Sequence, residues 1–139
     1  MKSLVIAGSV VFGLAAASVT TVALAQDGCF DHNGSVMRIV DRAGSFSISY
    51  ERPRGVLRRA GVRRGTVLAE GRSMPGGLSG VARRFSRHCV GQPLEYDVTG
   101  HYEGDYTIVL TGTRQVYNRC RPTGRTAFDE LIFDYIGPC

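Results

Sequence analysis

Ser45-Phe46-Ser47-Ile48-Ser49-Tyr50-Glu51 alternates strictly between polar and apolar side chains, and this period of two decides the fold. Successive side chains of an extended chain point to opposite faces, so Phe46, Ile48 and Tyr50 share one face and the serines the other, as in a half-buried antiparallel strand. The alternation returns in Leu94, Tyr96 and Val98 against Glu95, Asp97 and Thr99. It returns again in Tyr106, Ile108 and Leu110 against Thr107, Thr111 and Thr113, and in Leu131, Phe133 and Tyr135. Shorter runs at 35–42, 66–72 and 78–85 bring the expected strands to seven. Turn formers separate them: Arg42-Ala43-Gly44, Pro75-Gly76-Gly77, Gly91-Gln92-Pro93 and Glu103-Gly104-Asp105.

Beyond residue 25 no helical period persists past about two turns, and only 55–60 predicts a single one. Many short strands joined by Gly and Pro turns predict an all-β domain, a small antiparallel barrel or sandwich of about seven to eight strands. A barrel is favoured because closure leaves no exposed edge. Asn33-Gly34 predicts a tight turn leading into the first strand, since both residues tolerate positive φ. With Ser35 it also forms a glycosylation acceptor, which matters only in a eukaryotic host.

Residues 1–25 read as a cleaved signal peptide. Lys2 supplies the charge, 4–17 the apolar run and Ala23-Leu24-Ala25 the small-residue cleavage site. Gly8, Ser9, Gly13 and Ser18 interrupt the run, which argues against a retained membrane anchor, and Gln26-Asp27-Gly28 before Cys29 does not suit a lipoprotein. The expected working molecule is therefore 26–139, a single disulfide-bonded β domain in the periplasm or secreted, with no stable membrane span. Cys29, Cys89, Cys120 and Cys139 allow three pairings. The expected pairs are Cys89 with Cys120, joining two loops, and Cys29 with Cys139, drawing the termini together. Each is worth about 3 to 5 kcal/mol in the chain-entropy account. The cysteines contain no Cys-x-x-Cys knuckle, which removes the usual thiolate zinc site.

All sixteen basic residues of 26–139 are arginine, against twelve acids, a net charge of +4 with neutral histidines. Six of them crowd Arg52-Pro53-Arg54-Gly55-Val56-Leu57-Arg58-Arg59-Ala60-Gly61-Val62-Arg63-Arg64-Gly65, with no acid between. Guanidinium groups bind phosphate and carboxylate in a bidentate manner. The bland alternative is a solvated loop whose arginines pair with Glu51, Glu70 and their neighbours. If the loop binds, the expected contact set is Arg54, Arg58, Arg59, Arg63 and Arg64. An anionic envelope polymer or an acidic protein is then the expected partner. Nucleic acid is a poor candidate in an exported protein whose loop has no interleaved aromatic residue on which a base could stack. A second cluster, Arg83-Arg84-Phe85-Ser86-Arg87-His88-Cys89, is expected to extend the same basic surface if the two lie close.

Catalysis is not expected. Gly77-Leu78-Ser79-Gly80 lacks the glycine spacing of a nucleophile elbow. Asp129 and Glu130 are adjacent, so a strand sends them to opposite faces. A metal site drawn from Asp31, His32, His101, Glu103 and Asp105 has no supporting spacing, and these read as solvated turn residues. No cofactor is implied.

The chain resembles a group of small exported bacterial proteins with no established activity. The resemblance rests on His32-Asn33-Gly34-Ser35-x-Met37, Tyr50-Glu51-x-Pro53-Arg54, Gly61-Val62-x-x-Gly65-Thr66-x-Leu68, Phe85 shortly before Cys89, and Cys120. It transfers no functional residue. A second analogy is to periplasmic lysozyme inhibitors, small exported disulfide-bearing β-barrels. Their inhibitory serine-rich loop has no counterpart here, and a basic protein is a poor electrostatic match for basic lysozymes. The expectation is an exported, non-enzymatic binding module, with a lysozyme-inhibitor-like barrel as the alternative.

Overall fold

A computed structural model describes residues 26–139; the expected leader lies outside them. The strands are β1 (Gln26–His32), β2 (Ser35–Arg42), β3 (Ser45–Arg52), β4 (Val67–Met74), β5 (Gly77–Arg84), β6 (Leu94–Glu103), β7 (Thr107–Asn118) and β8 (Arg121–Gly137). One helical turn, α1 (Gly55–Arg58), follows β3. Each strand pairs antiparallel with the next and β8 returns to β1, closing the barrel.

The register shows how the alternating pattern makes the core. Ile39 lies opposite Ile48, Ile48 opposite Ala69, Ala69 opposite Ala82 and Ala82 opposite Tyr96, a buried belt across five strands. Ile108 faces Phe133 and Leu110 faces Leu131 on the remaining wall. Fully burying a side chain of this size contributes roughly 1.5 to 3 kcal/mol. Val62, from the loop after α1, joins the same core.

The lumen narrows where glycines face inward. Gly71 and Gly80 sit directly opposite each other on β4 and β5. A Cβ on Gly80 would stand 2.1 Å from the Glu70 carbonyl oxygen and 2.8 Å from the Gly71 Cα, both backbone atoms. Closure therefore depends on the absence of side chains at this crossing.

Two differences from the sequence reading stand out. An eighth strand, β1, precedes the expected first one, so Asn33-Gly34 joins β1 to β2 instead of opening the sheet. Both turn residues do adopt positive φ, 51° and 78°. β7 and β8 also run well past their predicted ends: β6 pairs with β7 only as far as Thr99 with Thr111, while β7 and β8 continue pairing to Asn118 with Arg121. The excess is a two-stranded ribbon projecting beyond the barrel.

Both expected disulfides are present, Cys29–Cys139 and Cys89–Cys120. The first covers the seam between β1 and β8. The second fastens the loop at 85–93 to the tip of the projecting ribbon. No helix of the described residues is long and apolar enough to cross a membrane.

Gly80→Ala should lower the unfolding free energy by about 3 kcal/mol, the upper part of the usual overpacking range, because backbone cannot move aside as a flexible side chain can. Urea unfolding measures it, and Ser79→Ala, whose side chain is exposed on the outer face, should change stability by less than about 0.5 kcal/mol.

Candidate functional site

In an up-and-down barrel the connections after β1, β3, β5 and β7 leave one end, and those after β2, β4 and β6 leave the other with both termini. The first end gathers the arginine run at 52–65, the loop at 85–93 and the ribbon tip. The two loops meet: a Cβ on Gly61 would come within 2.9 Å of a Val90 side-chain carbon. The two basic clusters of the sequence therefore form one end of the molecule.

The arginine run is a plug. Leu57 packs against the core, and Ala60 and Val62 are buried. Backbone bonds curl the chain over the opening: Leu57 N–H donates to the Arg54 carbonyl, and Ala60 and Val62 N–H both donate to the Leu57 carbonyl. The Arg54 N–H donates to Oγ of buried Ser35 at 3.0 Å, anchoring the plug to β2. With Leu57, Ala60 and Val62 turned in, the arginines turn out, as does Val56.

They are not equivalent. Arg63 donates from one guanidinium nitrogen to the carbonyls of Arg58 (2.9 Å) and Val62 (3.0 Å), so its head is bound to the loop's own backbone. Arg64 pairs with Glu51, which also accepts from Arg38 Nε at 3.0 Å. The Arg38 hydrogen bond, with Arg64 adding to it, holds the Glu51 carboxyl below its ordinary range. Arg52, Arg54, Arg58 and Arg59 have no carboxylate within salt-bridge distance among the described residues. Glu70 pairs with Arg83 and not with this loop.

Beside the plug, the 85–93 loop and the projecting ribbon enclose a cleft of about 1100 Å³, braced by Cys89–Cys120. Arg84, Arg87, Arg114 and Arg119 line it. At its base lies a polar network that the sequence did not disclose. Asp129 faces inward on β8 and accepts from Arg114 Nε at 2.7 Å and from the Tyr96 hydroxyl at 3.1 Å. Arg84 lies 3.7 Å from the same oxygen. The Arg114 and Asp129 side chains are only 13% and 15% exposed, a partly desolvated pair that fixes the guanidinium in place. Burial and the adjacent carboxylate push the Tyr96 hydroxyl pKa well up, so Tyr96 stays a donor. Register with Leu94 turns Arg84 toward the lumen mouth, the face opposite Val81, which points outward beside Asp97.

The residues weighed for a metal site do not converge. His32 is buried in the barrel, its ring stacked on Phe133 at 4.6 Å. Its Nδ1–H donates to the Ile132 carbonyl at 2.8 Å, and Nε2 accepts from the Asn33 amide at 3.3 Å. His101 lies on the exposed face of β6, 3.2 Å from Glu103. A second inward carboxylate, Asp41, accepts from Tyr102 and from Ser73 (2.9 Å) toward the opposite end.

No protein-family model, curated protein or solved structure matches the chain.

Burial lowers the His32 pKa from its ordinary value, against opposing contributions from the Ile132 carbonyl and Asp31. The unfolded chain therefore takes up the proton first. The neutral ring's contribution is complete above about pH 6.5 and is lost as pH falls from there through the lowered folded value. Urea midpoints of the protein and of His32→Gln should converge in relative terms with falling pH over that window, because only the former pays to discharge this site. A constant difference between the two from pH 7.5 to 5 contradicts this.

Proposed function

We propose that this protein is an exported, non-enzymatic binding module that recognises an anionic envelope polymer through the arginine-rich end of its barrel. The observation that carries the reading is the division among the loop arginines. Arg54, Arg58 and Arg59 project from a plug fastened to the core, free of carboxylate partners among the described residues. A rigid mount spares the ligand much of the ordering entropy that a mobile loop would impose on binding. Arg63 and Arg64, already engaged, shape and hold the loop and contribute charge at a distance. Export to the periplasm or the medium fits the apolar leader and the two disulfides.

An exported protein meets lipid headgroups, acidic polysaccharide and cell-wall carboxylates, and the guanidinium fork suits all of these anions. A lysozyme-inhibitor-like role is the weaker reading, since the end that carries the long loops is the cationic one and basic lysozymes would be repelled from it.

The test is retention of the oxidised protein on purified cell envelope across a salt series, beside a variant with Arg54, Arg58 and Arg59 changed to Ala. Retention should fall steeply with salt, and the variant should lose about one unit of log–log salt slope per arginine. Identical behaviour of the two proteins, or no retention at low salt, would overturn the reading.

A further inference from the structure

The cleft beside the plug differs in kind from the exposed arginines. One of its guanidinium groups, Arg114, is held by a partly buried carboxylate, its walls carry aromatic rings, and a covalent bond braces it. Arg114 is oriented by Asp129, and Arg84 approaches the same carboxylate. One carboxylate thus stands behind two guanidinium groups. Arg87 and Arg119 have no carboxylate within salt-bridge distance among the described residues. Glu95, the acid on the cleft wall, is engaged by Arg83 at 3.0 Å. The cleft therefore keeps a surplus of positive charge.

Its other walls are not those of a bare anion site. Phe85 packs partly against the core and Tyr117, 42% exposed, stands on the ribbon, so two rings flank the space. Gln92 and Asn118 supply neutral donors and acceptors. Rings that meet the C–H face of a sugar, amides that meet hydroxyls, and guanidinium groups that meet an acidic substituent make one consistent set. At about 1100 Å³ the cleft exceeds the roughly 300 to 1,000 Å³ of sites that enclose a single small molecule, and it is open. It suits a short run of chain lying across it.

We infer that this cleft is a specificity site for an acidic carbohydrate segment, sugar rings bearing carboxylate or phosphate. The inference rests on the envelope-polymer reading and deepens it: the plug arginines supply long-range attraction, and the cleft reads the sugar. The Cys89–Cys120 bond sets the width between its walls.

The probes are tetragalacturonate for the carboxylate, phosphorylated maltotetraose for the phosphate, unmodified maltotetraose as the uncharged sugar and a short polyphosphate as the anion without sugar. Binding to the oxidised protein is measured by calorimetry. At least one of the two charged oligosaccharides should bind, and which one identifies the anion. Arg87→Gln and Arg119→Gln should each weaken it about tenfold, as expected for a lost charge-assisted hydrogen bond. Tyr117→Ala should weaken it severalfold, while Arg58→Ala with Arg59→Ala should change it less than about threefold. Arg87, Arg119 and Tyr117 are exposed, and unchanged urea midpoints confirm that their variants fold. Equal binding of uncharged maltotetraose, or polyphosphate binding as tightly with no effect of Tyr117→Ala, overturns the inference. So does failure of both charged oligosaccharides to bind. If envelope retention persists in that last case, the cleft assignment alone is lost; if retention is absent too, the broader reading fails with it.

Discussion

The pairing of β1 with β8 is the constraint on which everything else rests. Phe30 meets Tyr135 across that seam, their rings edge to face at 5.3 Å, and Cys29–Cys139 covers it from outside. Without the seam the sheet has two open edges and a single exposed face of large apolar side chains. With it, every strand has two neighbours and the apolar face becomes an enclosed core. Closure also fixes which loops share an end. That geometric consequence brings three separate stretches of arginine together, although they lie far apart in the chain.

Closure is possible because the inner face tapers. Small residues occupy the β4–β5 crossing, where backbone approaches Gly71 and Gly80 too closely for a Cβ, while larger side chains, Phe46, Ile48 and Met37, fill the core from β2 and β3. The two partly buried carboxylates sit toward opposite ends of this lumen, and each is satisfied by hydroxyl or guanidinium donors from other strands. Burying a carboxylate without such partners is costly, so these networks help to fix the mutual register of the strands they join. Near the arginine-rich end the same arrangement holds a guanidinium at the base of the cleft. Arg114 thus both ties β7 to β8 and lines the cleft.

The alternation at Phe46, Ile48 and Tyr50 made the fold class legible, and the one-turn helix and both disulfides were legible from composition and topology. β1 was not, because its inward positions are Gly28, Phe30 and His32, and neither glycine nor histidine registers as apolar. The projecting halves of β7 and β8 were hidden for a related reason. Arg114 and Asp129 occupy inward positions and break the period, yet they compensate each other across the ladder. A pattern read along one strand cannot show a pair formed between two. Likewise the abundance of arginine was plain in the chain, whereas the difference between a pinned Arg63 and a projecting Arg58 depends on carbonyls brought near by the loop's curl. The cleft itself is a product of strand overshoot and had no local signal beyond the two cysteines that brace it.

The most direct test of the account is a backbone amide chemical-shift map of the oxidised protein titrated with soluble acidic envelope polysaccharide at low salt. The account predicts shifts concentrated at 52–66, 84–93 and 114–125, all at one end of the barrel, and none at the opposite turns around Ala43-Gly44, Gly76 and Gly104. Shifts spread evenly over both ends, or centred on the opposite turns, would contradict it.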